Sequence, residues 1–177
     1  MRKFPLTWLY APGDRPDVVT KALAAGADVV IIDLEDAVSP DRKHYARAAT
    51  AERLADPHPH QIHVRVNAPA TPWSYADLTT LAPLPGVSAL RLPKVNTPQD
   101  VQKTTKALPR EVPLYALLES ALAVENAYAI ATSHPALKGI ALGEADLKAD
   151  LNATSDTALT WPRSRTIIAA RAAALPP

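Results

Sequence analysis

Short apolar runs alternate with alanine-rich stretches along nearly the whole chain, and this alternation constrains the fold more than any other feature. The apolar runs cover residues 6–12, 27–36, 61–67, 87–95, 112–120 and 137–146. The stretches with helical spacing cover residues 16–25, 41–54, 98–108, 122–133 and 164–174. Strands that alternate with helices are typical of a parallel sheet with both faces covered. The sequence therefore predicts an α/β fold built from βα units.

The number of units favours one architecture within this class. A complete (β/α)₈ TIM barrel takes about 250 residues, so roughly 190 would hold six units, close to the 177 residues present. A doubly wound open sheet has less support, because no G-x-G-x-x-G motif follows the first run. We therefore expect a TIM barrel, C-terminally truncated to about six βα units. Residues 1–177 are predicted to form a single domain that lacks the last two units and the C-terminal segment.

Composition excludes several classes of function. The 19 Lys and Arg residues and 18 Asp and Glu residues give a net charge of +1, which argues against a nucleic-acid partner. No run of 18 apolar residues exists, so no membrane span is predicted. The chain has no cysteine, which excludes disulfides and thiolate chemistry and fits a cytoplasmic location.

Proline and threonine residues predict where two helices begin. Pro16 and Pro98 lie where the first helical turn tolerates proline. Thr97 and Asp100 have the spacing of a capping box with a shortened acid.

Polar residues gather at the carboxyl end of every apolar run. The carboxyl ends of parallel strands form the active-site face in α/β folds. The alternative is that each strand simply ends where polarity begins. The residues concerned are Pro12–Arg15, Asp33, Glu35, Asp36, Arg65, Asn67, Lys94, Glu119, Glu144 and Asp146.

Two carboxylates from neighbouring strands, Glu119 and Asp146, are candidate metal ligands. Mg²⁺ prefers oxygen ligands and often takes only one or two carboxylates, with water and substrate completing its shell. Helix capping or salt bridging by the same acids is the alternative. Glu144 is either a supporting acid beside this site or a solvated residue.

Arg65 is the candidate substrate-binding arginine. An arginine at a strand end can hold a substrate carboxylate through two parallel hydrogen bonds. The alternative is an ion pair with an acid of the preceding strand end, Asp33, Glu35 or Asp36, and both roles are compatible.

The segment Asp33–Asp36 places three acids within four residues. An apolar strand tolerates this only where water, a cation or an arginine receives the charges. These acids are predicted either to hold the waters of a metal ion or to pair with Arg42, Lys43 or Arg47.

A turn at Pro12 and Gly13 opens the first helix and could approach an anionic substrate group. An ordinary βα turn is the alternative. Four basic residues could bind the phosphorylated tail of a cofactor, although solvated helix faces would explain them equally. They are Arg15, Lys43, Arg47 and Arg163.

Lys94 leaves a second type of chemistry open. A lysine at a strand end can form a Schiff base with a keto acid. A salt bridge to the neighbouring acids is the alternative. Ser120 has no G-x-S-x-G context, and the five histidines have no metal-ligand spacing.

These segments together resemble the citrate lyase β-subunit family, within the HpcH/HpaI aldolase group. The matching segments follow the family's order and cover most of the chain: LYAPGDRPDVVTKALAAGADVVIIDLEDAVSPDRKHYAR, HVRVN, LRLPKV, ALLESALAVENA, GEADLKADL and PRSRTIIAARAAALPP. The resemblance implies a (β/α)₈ barrel enzyme that uses Mg²⁺ and coenzyme A thioesters.

The resemblance also implies roles for individual residues. It assigns the metal ligands to Glu119 and Asp146, the substrate-binding arginine to Arg65, and an acid near the metal's waters to Asp36. The expected reaction is cleavage of a 3-hydroxyacyl thioester, such as citryl-CoA, malyl-CoA or citramalyl-CoA, to a 2-oxo acid and an acetyl thioester.

Two alternatives to this lyase remain open. They are a Schiff-base aldolase that uses Lys94 and a noncatalytic interaction module. An open six-unit barrel would expose sheet edges, so we expect a homo-oligomer.

Overall fold

Strands and α-helices alternate through residues 5–176, which are the residues that the computed structural model describes. The strands are β1 (Trp8–Pro12), β2 (Val29–Asp33), β3 (Gln61–Arg65), β4 (Ala89–Leu92), β5 (Leu114–Leu118) and β6 (Leu137–Leu142). The helices are α1 (Pro16–Ala24), α2 (Lys43–Arg53), α3 (Ser74–Leu81), α4 (Pro98–Ala107), α5 (Ala121–Glu125), α6 (Ala127–Ala131), α7 (Glu144–Asp150) and α8 (Thr160–Ala172).

The chain divides into two compact units. The first unit extends to Arg91 and includes Ala107–Val112. The second unit contains Leu92–Lys106 and the chain from Pro113 onward. The prediction that residues 1–177 form a single domain stays a prediction.

All observed strand pairs are parallel. In the first unit β1 pairs with β2, β2 with β3, and β3 with β4. In the second unit β5 pairs with β6. Six parallel strands that alternate with helices confirm the predicted α/β class and the number of βα units.

A buried aliphatic run explains why β2 forms a strand. All five residues of β2, the sequence VVIID, are buried. A strand buried on both faces is expected where helices cover both sides of a parallel sheet. Helix α1 provides such a cover, because it packs against β1 and β2. In the second unit Val124, Leu147 and Leu159 form a buried cluster with Leu142 packed against it.

The predicted helix starts are confirmed, with one correction to the capping of α4. Pro16 and Pro98 are the first residues of α1 and α4. The Asp100 carboxylate accepts hydrogen bonds from the backbone N–H groups of Asn96 and Thr97, at 3.0 and 2.8 Å. The Thr97 hydroxyl donates to the same carboxylate at 3.0 Å instead of accepting from the helix. The acid therefore supplies the cap.

Two predicted elements have the wrong extent, and one helix was missed. The strand predicted to reach residue 146 ends at Leu142, because a helix begins at Glu144. The helix predicted over residues 122–133 is interrupted at Asn126, whose side chain donates to the Asn96 carbonyl at 2.9 Å. Helix α3 was not predicted, although its buried residues lie on one face at Ser74, Asp77, Leu78 and Leu81.

The described helices are short. None of those within residues 5–176 has the length and apolar character needed to cross a membrane.

Candidate functional site

A pocket of about 310 Å³ in the second unit collects the polar residues that follow β4, β5 and β6. Glu119 and Asp146 both line it, as does Lys94. The two carboxylates that the sequence analysis singled out as metal ligands therefore share one cavity. The pocket lining is Lys94, Asn96, Glu119, Ser120, Asp146 and Asp150.

Glu119 is the buried acid of this pocket. It follows β5 directly, and only 5% of the residue is exposed. Its carboxylate lies against Gly143, which follows β6 and donates its N–H to the Leu118 carbonyl at 2.9 Å. A Cβ atom at position 143 would approach the Glu119 Cγ to 2.4 Å and its Oε1 to 2.7 Å. The absence of a side chain at Gly143 therefore makes room for the Glu119 carboxylate.

We expect Gly143→Ala to lower the free energy of unfolding by about 1–3 kcal/mol, because the added methyl overpacks the site. Chemical denaturation would measure this loss. In a Glu119→Ala background the same substitution should cost less by more than about 1 kcal/mol, because the clashing atoms are gone. Equal costs in the two backgrounds would mean that this contact does not determine the choice of glycine.

Lys94 connects both carboxylates. Its backbone lies in the left-handed region, with φ at 55°, where a residue other than glycine is uncommon. In this conformation its N–H donates to Glu119 Oε2 at 2.7 Å. Its ammonium forms a hydrogen-bonded ion pair with Asp146 Oδ2 and lies 3.6 Å from Glu119 Oε2. The salt bridge that the sequence analysis gave as the alternative for Lys94 is therefore present.

Polar contacts support the pocket wall around Lys94. The Ser120 hydroxyl donates to Asn96 Oδ1 at 2.5 Å, and it also accepts from the N–H of Ala123 in the first turn of α5. Asp150 Oδ2 accepts from the N–H of Ala121 at 2.8 Å. These bonds fix the loop after β4 and the start of α5, so the lining residues have defined positions.

The pocket chemistry suits a hard cation. Two carboxylates converge on one ammonium group, and the remaining lining groups also carry oxygen. Among residues 5–176 no group of three or more His, Cys, Asp and Glu residues could hold a metal ion. A cation here would therefore have two protein carboxylates and would need water or substrate oxygens for the rest of its shell, as Mg²⁺ commonly does.

Arg65 lies in the first unit, at the carboxyl end of β3, within a cluster of acids. Its Nε and Nη2 donate to the two oxygens of Asp33 at 2.7 and 2.6 Å. Its Nη1 lies 3.1 Å from Glu35 and 3.8 Å from Asp36. The ion-pair alternative for Arg65 is therefore present with all three acids.

The strand register explains this cluster. Asp33 is aligned with Arg65, and Arg65 with Arg91, across β2, β3 and β4. Asp33 also accepts from the N–H groups of Glu35 and Ala37, so its carboxylate shapes the loop after β2. Burial alone would lower the pKa of Arg65, but the hydrogen bonds and charge of Asp33, with Glu35, outweigh it and raise that pKa. Arg65 is therefore a fixed positive charge.

The basic residues predicted to bind a cofactor differ from one another in burial and in hydrogen-bond partners. Lys43 is buried, and its ammonium donates to the carbonyls of Leu34 and Glu35 at 2.8 and 2.6 Å. Desolvation lowers its pKa, against the opposing charge of Glu35. Arg47 donates to the buried Asp77 at 2.9 Å. Arg15 immediately precedes α1, and the role of all three toward a cofactor stays a prediction.

Each of the three basic residues considered as a partner for the acids of Asp33–Asp36 has a defined contact of its own. Arg42 pairs with Asp14 at 3.5 Å, and Arg47 pairs with Asp77. Lys43 reaches the Glu35 main chain. Arg65, from the neighbouring strand, forms ion pairs with all three acids.

Close packing around Gly13 leaves no room for a side chain at this position. A Cβ atom there would approach Leu34 Cδ2 to 2.6 Å and the Asp33 carbonyl to 3.1 Å. Its N–H donates to that carbonyl at 2.8 Å. This close contact accounts for the glycine, and substrate binding by Pro12 and Gly13 stays a prediction.

Glu144 forms a two-point ion pair with Arg163, at 2.6 and 2.7 Å. The Arg163 hydrogen bonds lower the pKa of the Glu144 carboxyl. Arg163, considered above for a cofactor tail, is therefore engaged by Glu144.

Sequence reasoning missed Asn96 and Asp150 as lining residues. Asp150 lies four residues after Asp146 and so on the same face of α7, a spacing that could have identified it. The support that Asn96 gives to the loop has no signal in the sequence.

Parallel strands with acidic and basic side chains at their carboxyl ends define an α/β protein of the type that binds ligands at that edge. The chain belongs to the HpcH/HpaI aldolase/citrate lyase family, whose sequence profile matches residues 6–175. This confirms the predicted family.

Two curated relatives from Cereibacter sphaeroides (strain ATCC 17029 / ATH 2.4.9) illustrate the similarity. A (3S)-malyl-CoA thioesterase is 39% identical over 146 residues, which cover 81% of this chain and 50% of the relative. An L-malyl-CoA/beta-methylmalyl-CoA lyase is 33% identical over 156 residues, which cover 81% of this chain and 49% of the relative. The chain thus spans about half the length of these curated relatives.

Solved structures of citrate lyase β subunits are also similar to this chain. The citrate lyase β subunit from M. tuberculosis complexed with oxaloacetate and magnesium is 34% identical, with a TM-score of 0.80 over 95% of this chain and 74% of that chain. The CitE protein from Mycobacterium tuberculosis in complex with magnesium, acetoacetate and coenzyme A is also 34% identical. Its TM-score is 0.82, over 99% of this chain and 65% of that chain. These matches confirm the predicted fold class.

Proposed function

We propose that the protein is a Mg²⁺-dependent carbon–carbon lyase that cleaves a 3-hydroxyacyl-CoA thioester to a 2-oxo acid and an acetyl thioester. The observation that carries the proposal is the convergence of the Glu119 and Asp146 carboxylates on one positive charge within one pocket. Magnesium and coenzyme A in the CitE structure, and malyl-CoA in the names of both curated relatives, support the choice of cofactor and substrate class.

In this proposal Glu119 and Asp146 hold Mg²⁺, which would polarise the substrate oxygens when bound. Glu119 is kept in place by the Lys94 N–H and by the space at Gly143. Arg65 is proposed to bind the substrate carboxylate through N–H donors that its bonds to Asp33 and its ion pair with Glu35 do not use, and Asp36 lies 3.8 Å from the same guanidinium.

The bond changes balance without a further reactant. A base takes the proton of the substrate hydroxyl, and the oxygen forms the new carbonyl of the 2-oxo acid. The carbon–carbon bond breaks, and its electron pair passes to the thioester fragment as an enolate. Protonation of that enolate gives the acetyl thioester. Preorganised positive charge stabilises the developing oxyanions.

Product analysis with malyl-CoA, citramalyl-CoA and citryl-CoA tests the proposal. We expect a 2-oxo acid and acetyl-CoA in equal amounts, in the presence of Mg²⁺ and not after EDTA treatment. Turnover that resists EDTA, combined with borohydride trapping of a keto acid on Lys94, would instead indicate the Schiff-base aldolase.

A malyl-CoA thioesterase is the second candidate function, because the thioesterase relative is the more similar of the two described. Hydrolysis would release the free hydroxy acid and CoA, with no 2-oxo acid. The same assay therefore separates the two reactions by their products. Absence of any turnover, with a stable complex to a carrier protein, would indicate a noncatalytic module.

Homo-oligomer formation and a cytoplasmic location remain predictions. The first depends on exposed apolar residues, among them Trp161, Ile167 and Ile168 on α8. Light scattering of the purified protein would measure it.

A further inference from the structure

The Lys94 ammonium occupies the position between the two carboxylates where a divalent cation would act. We propose that Lys94 is an internal counter-ion that competes with the metal for Glu119 and Asp146, and so sets how tightly the metal binds. This inference rests on the metal site of the proposed function and adds a determinant of its affinity.

The Lys94 ammonium group contacts both carboxylates. Its nitrogen bonds Asp146 Oδ2 and lies 3.6 Å from Glu119 Oε2, so its single positive charge is attracted to both acids. A metal ion ligated by these oxygens would have a second positive charge at this short distance. Like charges at such separations repel each other, so metal binding must break or displace the Lys94 contacts.

Lys94 acts on the pocket through two separable groups, its backbone N–H and its ammonium. The backbone N–H holds Glu119 at 2.7 Å and is unaffected by the side chain. The left-handed backbone, with φ at 55°, costs about the same for any residue with an unbranched side chain. Replacing Lys94 with methionine therefore removes the ammonium and keeps the bond that positions Glu119.

The three charged side chains differ in their exposure to solvent. The Lys94 and Asp146 side chains are 38% and 40% exposed, whereas that of Glu119 is 4% exposed. The ammonium can therefore move toward solvent while the buried carboxylate keeps its place. Displacement of the lysine requires no rearrangement of Glu119.

Titration with Mn²⁺, followed by electron paramagnetic resonance, tests the proposal, with Mg²⁺ measured by calorimetry. We expect Lys94→Met to bind either metal about tenfold more tightly than the unsubstituted protein, equivalent to about 1.4 kcal/mol. Lys94→Arg keeps the charge and should stay within about threefold of the unsubstituted protein. Lys138→Met should do the same, because this exposed lysine donates to the Pro135 carbonyl at the opposite end of β6.

The double variant Lys94→Met/Glu119→Gln tests whether the tighter metal binding of Lys94→Met depends on the Glu119 carboxylate. We expect it to lose the tighter binding, and retention of that binding would overturn the proposal. If the unsubstituted protein binds metal and Lys94→Met leaves that affinity unchanged or lowers it, the role of Lys94 as a competing counter-ion is overturned. The metal site of the proposed function would stand in that case. Absence of binding by both proteins would overturn the proposal and the metal site together.

Stability gives a second readout. Without metal, Lys94→Met removes the ammonium charge beside Glu119 and Asp146, so Mg²⁺ should raise its unfolding temperature more than that of the unsubstituted protein. An equal or smaller rise would count against the proposal. If the methionine variant does not fold, Lys94→Gln is measured under the same expectations, since it also removes the charge.

Discussion

Glu119→Gln should reduce Mg²⁺-dependent turnover of the thioester by at least about 10²–10³-fold, the range seen when one group that stabilises developing charge is lost. Glutamine keeps the size of the side chain and can still accept from the Lys94 N–H, but it carries no charge for a metal ion. Steady-state kinetics, with product identification, would measure the loss.

Glu125→Gln is the matched control for this variant. Glu125 ends α5 in the same unit, is exposed, and is not among the residues that line the pocket. It should retain the turnover of the unsubstituted protein. Full activity of Glu119→Gln would remove this acid from the metal site and leave the family membership intact.

Arg65→Met should lower the free energy of unfolding by about 3–5 kcal/mol, the cost of removing one partner from a buried ion pair. The Asp33 and Glu35 side chains are only 2% and 8% exposed, and the substitution leaves their charges without the arginine that compensates them. Urea denaturation at neutral pH would measure the change.

Two comparisons separate this effect from a general loss of charge. Lys21→Met removes an exposed ion pair with Asp17 and should change stability by less than about 1 kcal/mol. Adding Asp33→Asn to Arg65→Met should recover part of the loss, because one uncompensated charge disappears. A cost below about 1 kcal/mol for Arg65→Met would show that solvent already screens the cluster.

The strands could be predicted from the sequence because each is a short, largely apolar run that is followed by polar residues. The same rule brought Glu119 and Asp146 forward as candidate partners, and the structure places both in one pocket. It could not show that a helix begins at Glu144, since Gly143 supplies no capping side chain and its role is to leave room for Glu119.

Backbone conformation was the information that the sequence lacked. Nothing in the segment LRLPKV predicts that Lys94 adopts a positive φ, yet this conformation turns its N–H toward Glu119. The partners of Arg65 were foreseen only as alternatives, because the strand register that aligns it with Asp33 is a tertiary property.

Every residue that lines the carboxylate pocket falls within the stretch from Lys94 to Asp150. The stretch includes the loop after β4, the end of β5 and the whole of α7. One contiguous segment of the chain therefore supplies the whole pocket lining. A chimera could receive this segment from a lyase or a thioesterase relative. It would exchange all the carboxylates of the pocket in one step and keep the Arg65 cluster of the recipient.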